Sequence, residues 1–447
     1  MINKLIVFCY LLLFVLLAGC NEVALEPGEV EPSTDDAAMS EQVEIEAESN
    51  TEVAEDLDWE EPILLIAYEK QGRIMCSVGY NPPFPLTENG NHGKPLISPD
   101  GNKVLFQHHI TSDHPELDSF ELWLVNIDEP EPKPLVTLDQ IPGETGQIVS
   151  SDEEILLNRL PLQYAWAEGS DIVLFNTFLD DGSGSLLFND LWQADPVSGQ
   201  VKQLLPDGKG GSFALSPDGT TLLIASPESV SIANADGSNR RELFQFPAVK
   251  TASEYPYTPQ PIWAPDSSYG LVAISGPDPY MDEEPGYTIW RISRTGEAEI
   301  MSTVPGSNFS DTISGKLFSP DGKHFTYTTG AFPDGKTKIA TLDGTIVSTF
   351  DEYSFQVFGW STDGQMVIYN GDFLVFLGGI EQEMQELEMH EEVYAWNSYI
   401  KWVSPGAYVG IDWTYFLEES ILWTTEIGSE SRIIDTDVSI FDAIIVY

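Results

Sequence analysis

The chain has 447 residues, with 72 Asp or Glu against 20 Lys or Arg, and a formal charge of −52. A polyanion of this kind is repelled by nucleic acid, which excludes binding through phosphate neutralisation. Its 42% hydrophobic content supports a large folded core, and 36 Gly and 30 Pro favour an all-β chain of many short strands over a helical one.

Residues 1–4 carry one positive charge, and residues 5–17 form an almost unbroken apolar run of thirteen. That run is shorter than the roughly 20 residues a membrane-spanning helix needs, so it reads as a secretory signal peptide over 1–19. It ends in Leu17-Ala18-Gly19-Cys20, which resembles the bacterial lipobox. The resemblance implies that Cys20 is lipidated, becomes the mature N-terminus, and holds the protein to a membrane of the cell envelope. The other cysteines are Cys9, inside the signal, and Cys76, in an apolar stretch, so no intrachain disulfide is expected. Cys76 is expected to be a buried small hydrophobe.

Residues 21–61 contain 16 acids and no base, interspersed with Pro, Ser, Thr and Ala. With Cys20 they form a disordered, self-repelling tether over 20–61. A flexible chain of that length spans roughly 35 Å root-mean-square.

From residue 62 to 447 one pattern recurs. Ser98-Pro99-Asp100-Gly101, Ser216-Pro217-Asp218-Gly219 and Ser319-Pro320-Asp321-Gly322 each stand between short apolar strands. Weaker copies are Ala264-Pro265-Asp266-Ser267, Ser361-Thr362-Asp363-Gly364, Trp166-Ala167-Glu168-Gly169 and Val403-Ser404-Pro405-Gly406. Ser and Pro suit the first two positions of a type I turn, Asp the third, and Gly accepts the positive φ that follows. A tight turn between apolar strands is a hairpin. The markers at 100, 168, 218, 266, 321, 363 and 405 are spaced by 68, 50, 48, 55, 42 and 42 residues. Most of these are close to one four-stranded propeller blade, and the longer ones leave room for insertions.

Strands containing Trp123, Trp192, Trp290 and Trp423 follow the turn by about twenty residues, and several precede a Gly-containing turn such as Asp195–Gly199, Ala235-Asp236-Gly237 or Arg294-Thr295-Gly296. These tryptophans are expected as wedges between blades. The repeats resemble the TolB-type propeller repeat, which also occurs in the propeller domains of prolyl oligopeptidase-like enzymes. The resemblance covers nearly everything after residue 61 and implies a single β-propeller of four-stranded antiparallel blades. Apolar segments are left over before the first marker and after the last blade. Pairing the termini in one blade removes the exposed edges, giving eight blades, with seven as the alternative.

In such a blade the Ser-Pro-Asp-Gly turn and the Gly turn share one face. The opposite face receives the long connections 107–119, 138–163, 179–189, 246–259 and 276–286, and any binding surface is expected there. Two of these connections hold metal-capable groups. His108, His109 and His114 lie near Asp113, Glu116 and Asp118, although their spacing matches no recognised ligand set. Asp278, Asp282, Glu283 and Glu284 offer oxygens for Ca²⁺ without EF-hand spacing. Both read as solvated loops first.

Gly210-Gly211-Ser212-Phe213-Ala214 is the nearest approach to a nucleophile elbow, but it runs into a propeller strand instead of a strand-to-helix turn. The propeller repeats occupy the chain and leave no room for a hydrolase domain. Excess negative charge is spread over tether and repeats, 56 acids against 19 bases in residues 62–447, which reads as a solvated surface. The resulting expectation is a monomeric, lipid-anchored, non-catalytic binding or scaffold module for a protein or envelope polymer. The alternative is a solitary propeller enzyme acting on glycans or peptides through channel carboxylates or a metal.

Overall fold

The computed structural model describes residues 62–447 apart from 89, 113–117, 148–153, 168–170, 181–184, 252–255, 280–285, 307–309, 331–333, 352–353, 355, 372–373, 388–398, 414–419 and 447. The signal peptide, the tether, Cys20, His114 and the Glu168-Gly169 marker lie outside the described residues.

Eight antiparallel sheets follow one another as blades. Blade 2 is typical: His92–Ile97, Lys103–Ile110, Ser119–Asn126 and Lys133–Val136 pair in chain order. Blades 3, 4 and 5 begin at Arg159–Trp166, Ser212–Leu215 and Ile262–Trp263, and blades 7 and 8 at Gln356–Trp360 and Tyr399–Ser404. In blade 6 the first strand is reduced to a Phe318–Phe325 bridge beside His324–Thr329, Lys336–Thr341 and Ile346–Phe350.

Blade 1 closes the ring. Ile63–Lys70, Arg73–Val78 and Phe84–Pro85 supply three strands, and the last strand of the chain, Val438–Val446, pairs with Ile63–Lys70. The C-terminal segment is therefore one nine-residue strand and not two short ones. It packs beside the first strands of blades 2 and 8, which makes it the innermost strand of its blade. Asp442 on this strand is 6% exposed and accepts the Ile97 amide of blade 2 at 2.8 Å and the Lys401 ammonium of blade 8. Lys70 and the Tyr68 hydroxyl, in turn, hold Asp435 of blade 8 at 2.5 and 2.6 Å. Closure thus joins the ends through backbone ladder and side-chain pairs at once.

The Ser-Pro-Asp-Gly turns use the same atoms each time. The hydroxyls of Ser98, Ser216, Ser319 and Ser361 donate to the aspartate two residues on, at 2.5–2.7 Å. Each hydroxyl also accepts the amide five residues on, and each aspartate accepts the amide after the glycine. Gly101, Gly219, Gly322 and Gly364 have φ between 69° and 73°. That is the left-handed region where a side chain costs about 1 kcal/mol or more. The Ala264-Pro265-Asp266-Ser267 copy bends alike, with Ser267 at φ 59° in the glycine's place.

Among the described residues each interface around the ring holds one apolar cluster, eight in all, and a small ninth of Leu157, Leu179 and Phe188 lies at blade 3. Trp192 sits between blades 2 and 3, and Trp423 between 7 and 8, while Trp290 stacks on Phe244 of the preceding blade with centroids 4.0 Å apart. These are the wedges expected from the repeat. A second set of tryptophans, at the end of the innermost strands, was not anticipated. The indole N–H groups of Trp166, Trp263, Trp360 and Trp402 donate to Leu96, Ala214, Leu317 and Gly359 carbonyls of the preceding blade at 3.0–3.2 Å. Innermost strands are sheet edges with unpaired carbonyls, and this donation satisfies them while fixing the angle between blades. Cys76 is buried and free, and burial pushes its thiol up to about 12.

Candidate functional site at the channel mouth

The described parts of three long connections on the face opposite the tight turns hold structure where the sequence implied loop. The first extends the second strand of blade 2 to Ile110. The 138–163 segment holds a short 3₁₀ turn, a two-stranded hairpin (Glu144–Gln147 with Glu154–Leu157) and the start of blade 3. The 179–189 segment adds Ser185–Leu187 to blade 3.

Blade 3 anchors this face. Arg159, 5% exposed, opens its innermost strand, and its guanidinium binds Asp207 in a fork at 3.0 and 2.9 Å. The same group reaches Glu144 at 3.3 Å and Asp190 at 3.4 Å and lies 3.4 Å over the Phe188 ring. Asp190 is fully buried and accepts the Thr177 amide at 2.8 Å, the Thr177 hydroxyl at 2.6 Å and the Trp192 indole at 2.6 Å. Asp190 thus accepts four hydrogen bonds, one on Oδ1 and three on Oδ2, and is shielded from solvent. The network ties the added hairpin, the second-to-third connection and the link to blade 4 to one cation. Apart from Trp192, none of these residues was singled out in the sequence, because the partners of Arg159 and Thr177 lie 13 to 48 positions away.

Beside this network the innermost strand of blade 3 bulges. Its pairing with the second strand skips one extra residue between Pro161 and Tyr164. Bulges re-aim side chains. The Gln163 amide N–H donates to Asn176 Oδ1 at 2.9 Å, and Asn176 Nδ2 donates to the Gly211 carbonyl of the next blade at 2.9 Å. Gln163 Nε2 donates to Gln260 Oε1 at 3.1 Å, and Gln260 Nε2 reaches the Phe213 carbonyl at 2.9 Å. Three carboxamides therefore bridge blades 3, 4 and 5 at their inner edges.

A cavity of about 280 Å³ opens above these amides. Leu162, Leu187 and Ile313 wall it, and Thr177, Asn189, Ser212 and Thr258 contribute further polar groups. It lies at the starts of innermost strands and beside the second-to-third connection of blade 3, so it is on the loop-rich face. Among the described residues no charged side chain lines it. Beneath its rim Tyr257 is buried, which pushes its phenol up to about 12, and its hydroxyl meets Thr312 Oγ1 at 2.8 Å.

The innermost strand of blade 2 has a matching bulge between Gly93 and Leu96. There Lys94 adopts φ 47°, and its carbonyl accepts the Tyr164 hydroxyl at 3.2 Å. Burial by the surrounding blades lowers the Lys94 amine from its ordinary range.

Of the sequence candidates for a metal, Asp113, His114, Glu116, Asp282, Glu283 and Glu284 lie outside the described residues. His108 and His109 are neighbours on one strand and point to opposite sides of the blade. His108 Nδ1 lies 3.2 Å from His92 Nδ1, and its ring packs 4.4 Å from Trp123. His109 packs on Phe120 at 5.9 Å, and burial lowers its imidazole. Asp278 of the acidic loop is paired with Lys250 at 2.6 Å. Among the described residues no group of three His, Cys, Asp or Glu is placed to hold a metal ion. Ser212, the serine of the glycine-rich stretch, lies in the first strand of blade 4, so that stretch is no elbow.

Fold and site define an eight-bladed β-propeller with a cavity at one mouth of its channel. No protein-family model matches the sequence, and no curated protein matches it. Dipeptidyl peptidase 4 from Porphyromonas gingivalis is similar in structure with a TM-score of 0.52 at 10% identity, over 82% of this chain and 57% of the peptidase. The chain thus spans little more than half the length of that protein. TolB from Acinetobacter baumannii is similar over 64% of this chain and 62% of its own, at 13% identity and a TM-score of 0.30. The β-propeller domain of the Trilobed protease from Pyrococcus furiosus is similar over 77% of this chain and 97% of its own, at 12% identity and a TM-score of 0.44. At such identities the likeness shows the fold alone.

Proposed function

We propose that this chain is an exported, lipid-anchored recognition module that binds a protein or an envelope polymer at the loop-rich mouth of its propeller. The observation that carries this reading is the chemistry of that mouth. Among the described residues its cavity is lined by amides, hydroxyls and aliphatic groups, and the adjacent carboxylate, Asp190, is fully buried and held by Thr177, Trp192 and Arg159. Hydrogen-bonding groups held rigidly by three blades recognise and orient a ligand; general acid–base work needs a carboxyl or imidazole with a free lone pair or proton. The acidic surface serves solubility and steers basic partners. Cys20 would tether the module to the membrane, with the acidic segment to residue 61 as spacer.

Site-specific photo-cross-linking tests the face. Leu162, 45% exposed, lies at the cavity, and Val197, 83% exposed, lies in a tight turn of the opposite face. A cross-linker at 162 should capture a partner in envelopes, and one at 197 should not. Equal capture at both, or capture from 197 only, would reverse the assignment. Replacing Cys20 by Ser should release the protein from membranes, and retention with lipid would remove the anchor from the reading.

A further inference from the structure

We infer that the blade 2 bulge at the channel mouth, where Lys94 stands beside His109, binds the free carboxylate at the C-terminal end of a partner's peptide chain. This deepens the recognition reading above and rests on it.

Lys94 is a cation without an acid. Among the described residues the innermost strands carry the bases Lys94, Arg159 and Lys401 and the single acid Asp442, which reverses the balance of the whole chain. Arg159 holds Glu144, Asp190 and Asp207, and Lys401 holds Asp442. Lys94 is exposed on its innermost strand, so its side chain opens to the channel mouth, and no described carboxylate stands within ion-pair reach of it. Burial by the surrounding blades is the cause of its lowered amine. A charge that has given up part of its hydration without gaining a partner is stabilised when an anion arrives.

The backbone under Lys94 is held in an unfavourable conformation. Its φ is 47°, although it is not glycine and it precedes Pro95, a position that favours extended backbone. The Tyr164 hydroxyl of blade 3 donates to its carbonyl at 3.2 Å. Bulges re-aim side chains, and strain that the fold maintains concentrates at binding sites. Here the bulge lies against His109: a Cβ on Gly93, the residue before Lys94, would stand 3.2 Å from His109 Nε2. Burial first, and the Lys94 charge second, lower that imidazole. It is therefore neutral near pH 7 and keeps one N–H to donate. Asp118 acts on His109 less than Lys94 does, and it accepts the Ser112 amide at 3.1 Å.

One ammonium with one neutral N–H matches a single carboxylate. A polyanion would meet the repulsion of a chain with 72 acids and 20 bases. A peptide whose only negative charge is its terminal carboxylate meets little of that repulsion, and basic residues behind the terminus are attracted by the same surface. A chain end also enters the mouth of a closed ring directly, where an internal segment would have to double back.

The test uses the full-length protein and three probes: N-acetyl-Lys-Ala-Leu as the free acid, the same peptide as its C-terminal amide, and digalacturonic acid. Binding is followed by calorimetry or ligand-observed NMR. The free acid should bind about tenfold or more tighter than the amide, the worth of one charge-assisted hydrogen bond. Lys94→Met keeps the length and removes the charge. It should bring the acid down to the affinity of the amide and leave the amide unchanged. Lys94→Gly should do the same while the melting temperature stays level or rises, because glycine accepts a φ of 47°. Equal binding of acid and amide, no binding of the acid, or a preference for digalacturonic acid would overturn the inference. So would a lower melting temperature in Lys94→Met with the affinity for the acid unchanged, which would make Lys94 a structural residue. Partner capture from residue 162 that persists at full strength in Lys94→Met would leave the recognition face standing and remove only this ligand. Absence of capture from residue 162 with Lys94 in place would remove the face itself.

Discussion

On the turn face, Ser98, Ser216, Ser319 and Ser361 repeat one set of hydrogen bonds to Asp100, Asp218, Asp321 and Asp363. On the loop face no two blades are alike, and order rests on single long-range contacts such as Arg159 with Asp190 and Asp207. The turn face draws its stability from residues two to five positions apart, so each blade closes its own hairpin. The loop face draws it from partners tens of positions apart, so it forms only after the blades have assembled. Local turns keep the scaffold rigid. The distant contacts on the other face shape a cavity that no local rule would produce.

The largest expected break in this comparison is Arg159→Ala. It leaves Asp190 buried without its cation and should cost about 3–5 kcal/mol in denaturant unfolding, together with loss of the cavity. A loss below about 1 kcal/mol would show that Thr177 and Trp192 suffice to hold that carboxylate.

Next comes the stitching between blades. Trp402→Phe keeps the ring buried but removes the indole donor to the Gly359 carbonyl, and should cost about 1–3 kcal/mol. The matching change Trp263→Phe, against the Ala214 carbonyl, should cost a similar amount if the device is one repeated element. Unequal effects would separate the blades from one another.

A smaller effect is expected from the turns. Gly219, at φ 71°, should cost about 1 kcal/mol when replaced by Ala, measured by thermal unfolding. Gly199, also left-handed and with open space around it, is the control for backbone strain without a packing clash.

The smallest is a pH effect. Hydrogen bonds from Ser216 and Thr220 hold Asp218 below the usual carboxylate range, and those from Ser268 do the same for Asp266. At Asp100 and Asp321 burial pushes upward, but hydrogen bonds from Ser98 and Asn102, and from Ser319 and Lys323, outweigh it. A folded value below the unfolded one, near 3.9, stabilises the fold above that pH. That contribution is lost as pH falls through the folded values. Acid unfolding should therefore steepen below about pH 4, and Asp218→Asn should flatten the slope. An unchanged slope would place the acid sensitivity elsewhere.

Much of the ring was legible. The Ser-Pro-Asp-Gly markers are local chemistry, and each predicted hairpin sits where its turn residues stand. The wedge role of Trp192, Trp290 and Trp423 followed from their recurrence. The innermost-strand tryptophans escaped notice as a set although Trp263, Trp360 and Trp402 each stand directly before a turn marker and Trp166 opens one, a signal present in the repeat itself. The candidate site was legible only as a face. His108 and His109 looked like one cluster because they are adjacent in sequence, yet the pleat of a strand sends neighbours to opposite sides.

What the sequence determined by itself is the hairpin unit, its repetition, and the surplus strands at either end that require closure, because turn residues and apolar alternation act over a few positions. The tertiary structure alone decided that Val438–Val446 is a single innermost strand. It also decided that Arg159 gathers three acids, and that Gln163, Asn176, Thr258 and Gln260 meet around one cavity. Those residues come from blades whose separation is fixed by ring geometry, and distances across a ring are not encoded in any short stretch of chain.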